Sequence, residues 1–129
     1  MDEYYKLVEK FTLLNDKRFC AALAYCVITG ESPVTVNKKI GRKRGKGMLD
    51  LKLNNALMDA GYVLIEVDVK GYVENLPKKG LDSGTYLVYS SGHVSVIKDG
   101  QVLDWTATPE SQSKRTRVCF QVVKTKGEL

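Results

Sequence analysis

The stretch GHVSVIKDGQVLDWT, residues 92–106, decides the fold of the second half of the chain. Asp99-Gly100 separates two short runs rich in β-branched residues, and Asp-Gly is strongly favoured in the type I′ turn of a two-residue hairpin. With this loop, Ile97 faces Val102 and Ser95 faces Asp104. Cross-strand partners share a face, and so do side chains two apart on one strand. The predicted hairpin therefore carries on one face His93, Ser95, Ile97, Val102, Asp104 and Thr106.

On that face, His93 and Asp104 are predicted to be diagonal neighbours. Such neighbours lie about 7–8 Å apart at the backbone, a gap that an imidazole and a carboxylate close with a hydrogen bond. The bond fixes the tautomer of the ring and raises its basicity, as the general base of a nucleophilic enzyme requires. His93 is also the only histidine in the chain. The pattern therefore predicts a base and its orienting acid, and the nucleophile must come from elsewhere.

Length and composition limit the class of protein. The 129 residues, 43% of them hydrophobic, fit one globular domain over residues 1–129. No apolar run is long enough to span a bilayer, and the start MDEYYKLVEKF is acidic and helical, unlike a signal peptide. Three cysteines and one histidine match neither a disulfide framework nor a zinc site. We expect a soluble cytoplasmic protein that uses no metal or cofactor and no membrane.

The net charge of +5 comes mainly from residues 38–46, which hold basic residues and no acid. Arg42, Lys43, Arg44 and Lys46 lie there among glycines, as candidates for contact with an acidic substrate segment or with a nucleic-acid backbone. No aromatic residue is interleaved with them, and no helix-turn-helix or zinc module surrounds them. A solvated loop is therefore favoured over nucleic-acid binding.

Hydrophobic periodicity gives the order of elements. A helical period covers residues 2–14, and residues 19–28 are apolar nearly all round, which predicts a buried helix. Ser32 and Pro33 predict the cap and first turn of a helix over 33–40, and a further helix over 49–60 ends at Gly61. Strands are predicted at 62–67, 85–90, in both hairpin arms and at 117–124, with a loop at 76–84. Helices followed by strands predict the α+β class with an antiparallel sheet.

Cys20 is the candidate nucleophile because it begins the buried helix. Unpaired backbone N–H groups and the positive end of the helix dipole favour the thiolate there, and so do the adjacent Lys17 and Arg18. Cys26 lies within the apolar run and Cys119 within a strand, so both are interpreted as packing residues. The residues alone leave two interpretations open: a core cysteine with an incidental histidine, which is the commoner case, or a triad of Cys20, His93 and Asp104.

Several short motifs occur in a characteristic order between residues 20 and 106. They are CAALA from Cys20, TGES at 29–32, Gly41-Arg42, GKG at 45–47, LMDAGY at 57–62, Gly92-His93, and Asp104. This order resembles the papain-like cysteine peptidase superfamily, especially its small bacterial and phage members related to the bacteriocin-leader-processing peptidases.

The resemblance implies Cys20 as nucleophile, His93 as general base and Asp104 as orienting acid. It also implies a papain-like fold, in which N-terminal helices pack on a C-terminal antiparallel sheet, and a peptide or protein substrate. A phage-encoded member would act in the host cytoplasm.

One departure from the papain-like pattern concerns the oxyanion hole. These enzymes usually place a glutamine shortly before the cysteine, whereas this chain has Leu13-Leu14-Asn15-Asp16. Asn15 is the candidate amide donor, and losing such a donor costs roughly 10²–10³ in rate. Two functions follow. One is a thiol hydrolase that cleaves a peptide or isopeptide bond, and the other is a weakly active or inactive papain-like module that binds a host protein or nucleic acid.

Overall fold

A computed structural model describes residues 4, 6, 8, 9, 20–39, 50–91, 93–103 and 115–125. The chain divides into two compact units, Met1–Ala60 and Gly61–Leu129. The described part of the first unit is helical, and the second contains the sheet. The prediction of a single domain stays a prediction, because two compact units also occur within one domain.

Three helices form the described core of the first unit: α1 (Cys20–Thr29), α2 (Pro33–Lys39) and α3 (Asp50–Asp59). The predicted apolar helix is α1, and its residues 21–26 are all buried. It contacts both α2 and α3, whose side chains Val36, Leu53 and Leu57 are fully buried. Within the predicted helix over 2–14, the four described residues are helical.

Polar side chains cap two helix ends, of which only the Ser32 cap was predicted. Thr29 Oγ1 donates to Tyr25 O at 2.8 Å and accepts the Glu31 N–H at 3.3 Å, which satisfies groups at the end of α1. Ser32 Oγ accepts the Thr35 N–H at 3.3 Å, so Ser32 is the N-cap of α2. No helix in the described residues is long and apolar enough to cross a bilayer.

The second unit is built on a five-stranded sheet in the order β1-β5-β2-β3-β4. The strands are β1 (Tyr62–Val67), β2 (Thr85–Ser90), β3 (His93–Lys98), β4 (Gln101–Leu103) and β5 (Val118–Lys124). Every neighbouring pair is antiparallel. The predicted α+β class with an antiparallel sheet is therefore confirmed.

The β3–β4 hairpin has the predicted two-residue turn. Asp99 and Gly100 both have positive φ, 49° and 83°, as a type I′ turn requires. Val96 pairs with Leu103, and Ile97 pairs with Val102. The predicted register is confirmed for the described residues.

A 3₁₀ helix at Val73–Lys79 precedes β2. The prediction of a loop over 76–84 is therefore wrong for residues 76–79. The reason is a tertiary contact that the local sequence does not reveal. Because residues three apart lie on the same side of a 3₁₀ helix, Val73 and Leu76 point the same way, and both are fully buried. They belong to one hydrophobic cluster with Leu81, Tyr86, Val88, Ile97 and Cys119.

The sheet has buried residues on both faces. The register places on one face, called here the His93 face, Tyr86, Val88, Ser90, His93, Ser95, Ile97, Val102 and Cys119. The buried residues of the opposite face include Leu87, Tyr89, Val94, Val96, Leu103 and Val122. The 3₁₀ helix covers part of the His93 face through the hydrophobic cluster.

Candidate active site

Cys20 is the first residue of α1 and is partly exposed, whereas the next six residues are buried. The sequence prediction that the helix begins close to Cys20 is confirmed. The first turn of an α-helix has backbone N–H groups without partners inside the helix, and it is the positive end of the helix dipole. Both features favour a thiolate on an accessible sulfur.

The other two cysteines differ from Cys20 in burial. Cys26 and Cys119 are each 1% exposed, and all three cysteines carry thiols rather than disulfides. Burial raises the pKa of the Cys119 thiol from 9.0 to about 11, because desolvation penalises the charged form. Cys119 is therefore a neutral packing residue at ordinary pH, which supports its interpretation from the sequence.

His93 is the first residue of β3 and is partly exposed. Its cross-strand partner is Ser90, the last residue of β2. The confirmed hairpin register places His93, Ser95, Ile97 and Val102 on one face, as predicted. The base of the candidate triad therefore lies at the end of a strand, on a face that also carries polar side chains.

The remaining predicted site residues lie outside the described residues. β4 ends at Leu103, so the pairing of Asp104 with Ser95 stays a prediction. The same holds for the other predicted residues, which are Asn15, Arg42, Lys43, Arg44 and Lys46. Of the triad, the structure describes Cys20 in the first unit and His93 in the second.

The sequence pattern predicts Ser95 on the same face as His93 but does not predict Ser90 there. Both serines are buried on the His93 face, at 3% and 1% exposure. Neither hydroxyl forms a hydrogen bond within the described structure. The sequence does contain a pattern that indicates this pairing, because only two residues, Ser91 and Gly92, separate Ser90 from His93. A second two-residue hairpin would have placed Ser90 opposite His93.

An open groove of about 250 Å³ lies between residues 66–71 and 115–118. Arg115 stacks there over the Tyr72 ring, 5.1 Å from its centroid. The groove contains charges of both signs and none of the predicted site residues. Among the described residues, no group of three or more His, Cys, Asp or Glu side chains is arranged to hold a metal ion.

Comparisons of the chain with protein-family models, curated proteins and solved structures found no match. A functional proposal therefore rests on the residues and their geometry.

Proposed function

We propose that this chain is a papain-like thiol hydrolase that cleaves a peptide or isopeptide bond through a thioester on Cys20. The observation that carries the proposal is the position of Cys20. It is a partly exposed cysteine at the start of a helix whose following residues are buried, while the other two cysteines are buried. An accessible sulfur at a helix N-terminus is the environment in which cysteines become nucleophiles.

In the proposed reaction, His93 takes the proton from the Cys20 thiol. The sulfur forms a bond to the carbonyl carbon, the carbon–nitrogen bond breaks, and His93 gives its proton to the leaving amine. Water then attacks the thioester, which releases the acid and restores the thiol.

The proposal assigns three further roles to residues on the basis of the sequence alone. Asp104 holds the His93 ring in the productive tautomer. Asn15 supplies an amide that, with the Cys20 backbone N–H, stabilises the oxyanion. The basic residues border the substrate groove and favour peptides with acidic segments, because opposite charges attract across a groove. These basic residues are Arg42, Lys43, Arg44 and Lys46.

Acyl transfer from 4-nitrophenyl acetate tests this function without knowledge of the natural substrate. An activated ester needs only a nucleophile and a base, so Cys20 should acquire one acetyl group, located by peptide mass mapping and removed by neutral hydroxylamine. Cys20→Ala should abolish the acetylation. His93→Ala should slow it by roughly 10²–10⁴, the usual contribution of a general base.

The matched control is Cys119→Ala, which removes a buried thiol and should leave the acetylation of Cys20 unchanged. Equal rates of Cys20 acetylation in the unsubstituted chain and in His93→Ala would contradict the proposed hydrolase. That result would favour the alternative, a papain-like module that binds a partner without catalysis.

A further inference from the structure

Two buried hydroxyls lie on the His93 face without hydrogen bonds in the described structure. Ser90 is 3% exposed and Ser95 is 1% exposed, and neither Oγ has a hydrogen-bond partner among the described residues. Burial of a hydroxyl is unfavourable unless it is hydrogen-bonded, and native proteins satisfy nearly all such groups with protein or with water. The two serines therefore require a partner.

The strand register places both serines next to His93. Ser90 is the cross-strand partner of His93, and Ser95 pairs with Val88. Ser95 is therefore a diagonal neighbour of Ser90 and lies two residues beyond His93 on the same face. Directly opposite side chains have Cβ atoms about 4.5–5.5 Å apart, a separation that one water bridges with two hydrogen bonds.

Packing alone gives no reason for serine at these positions. The buried neighbours along this face are apolar, namely Val88 and Ile97. β-Branched residues fit a buried strand better than serine does. The hydroxyls thus form a polar site within an apolar surface, at the end of the sheet where His93 lies.

We propose that Ser90 and Ser95 hold a water molecule that hydrogen-bonds the His93 ring, and that both serines are positioning residues for His93. This inference deepens the proposed hydrolase function and rests on it. A buried water makes about three hydrogen bonds, and the two hydroxyls and the imidazole supply that number. The ring N–H that faces away from Cys20 is shared between Asp104 and the water oxygen in a three-centre hydrogen bond, which favours the imidazolium that His93 becomes after it deprotonates Cys20.

Substitution of Ser90 or Ser95 changes no charged group around His93. β2 presents Ser90 opposite His93, and the described part of β4 ends before it reaches His93. Among described cations, Arg117 lies near the end of β2, where its backbone N–H donates to Tyr89 O at 2.8 Å, and Lys98 lies at the far end of β3. Asp104 and Cys20 are the proposed ionisable partners of His93. Serine substitutions leave these groups in place, so a change in His93 titration reports on the hydroxyls.

NMR titration of the His93 C2–H resonance tests the water site, and a single histidine gives a single signal. The full chain carrying Cys20→Ala is used, so that the midpoint is independent of catalysis. Ser90→Ala and Ser95→Ala should each lower the pH midpoint by about half a unit, the size expected for one lost hydrogen bond to the protonated form. Ser90→Thr keeps a hydroxyl and should restore the midpoint. The control is Ser91→Ala, at the adjacent exposed position, which should leave it unchanged.

If both alanine variants have native amide spectra and the same midpoint as the chain with both serines, the water site is overturned. If an alanine variant fails to fold, water–protein cross-relaxation in the chain with both serines tests the site instead. A long-lived water should show a cross-relaxation peak to the His93 ring proton, and absence of that peak also overturns the site. If the serine substitutions lower the midpoint but 4-nitrophenyl acetate does not acetylate Cys20 in the unsubstituted chain, the water site stands and the hydrolase proposal fails. If Cys20 is acetylated but the serine substitutions leave the midpoint unchanged, the hydrolase proposal stands and the water site fails.

Discussion

At Cys119, burial within β5 raises the pKa of the thiol to about 11, while Cys20 at the start of α1 is partly exposed. The two thiols are chemically identical, so their environments decide their reactivity. Desolvation keeps Cys119 protonated, and a helix N-terminus favours the ionised form of Cys20. Both assignments follow from position along an element, which is why the sequence pattern predicted them.

The raised pKa of Cys119 predicts a loss of stability at high pH. The unfolded thiol ionises near 9.0 and the folded thiol near 11, so the unfolded state releases its proton first as pH rises. The contribution of Cys119 to the free energy of unfolding is therefore fully present below pH 9 and is lost between pH 9 and 11. Urea unfolding across this range should show a steeper fall for the unsubstituted chain than for Cys119→Ala. Parallel curves would show that the thiol is not desolvated.

Among the elements, the β3–β4 hairpin depends on one turn. Asp99 has a positive φ of 49°, its Oδ1 accepts the Gly84 N–H at 3.1 Å, and its own N–H donates to Gly84 O at 2.9 Å. The turn thereby joins the residue before β2 to the end of β3. This connection stabilises the β2–β3 pair at the end opposite His93.

Asp99→Ala should destabilise the protein by about 1–2 kcal/mol, because alanine loses the side-chain acceptor and tolerates a left-handed backbone less well. Asp99→Asn retains an acceptor oxygen and the tolerance for positive φ, so it is the matched control and should be close to neutral. Chemical denaturation of the two variants measures the difference. Equal stability of Asp99→Ala and Asp99→Asn would mean that the turn does not hold the hairpin.

The elements could be predicted where the signal is local. Alternation identified β1 and strand propensity identified β2, both at their observed bounds, and Asp99-Gly100 fixed the register of the hairpin. The 3₁₀ helix could not be predicted in this way, because Pro77 and the glycine and lysines that follow it are typical of a loop. Its cause is the burial of Val73 and Leu76 in a cluster with distant strands, and a local pattern contains no such information.

For the whole molecule, the candidate site was predictable only residue by residue. Helix periodicity placed Cys20, and strand alternation placed His93 and Ser95 on one face. Ser90 required the register between β2 and β3, which local alternation does not give. The proposed reaction pairs Cys20 with His93, and no periodicity in the sequence predicts which nucleophile a base serves.

The central claim is that His93 activates Cys20. The most direct test is the pH dependence of iodoacetamide alkylation at each cysteine of the folded chain, measured by peptide mass mapping, with and without His93→Ala. We expect Cys20 to be alkylated well below the pH at which an ordinary thiol reacts, since alkylation requires the thiolate. His93→Ala should move the Cys20 profile toward that of an ordinary thiol, while Cys26 and Cys119 stay unmodified until the chain unfolds. Slow and equal labelling of all three cysteines, or the same Cys20 profile with and without His93, would contradict the account.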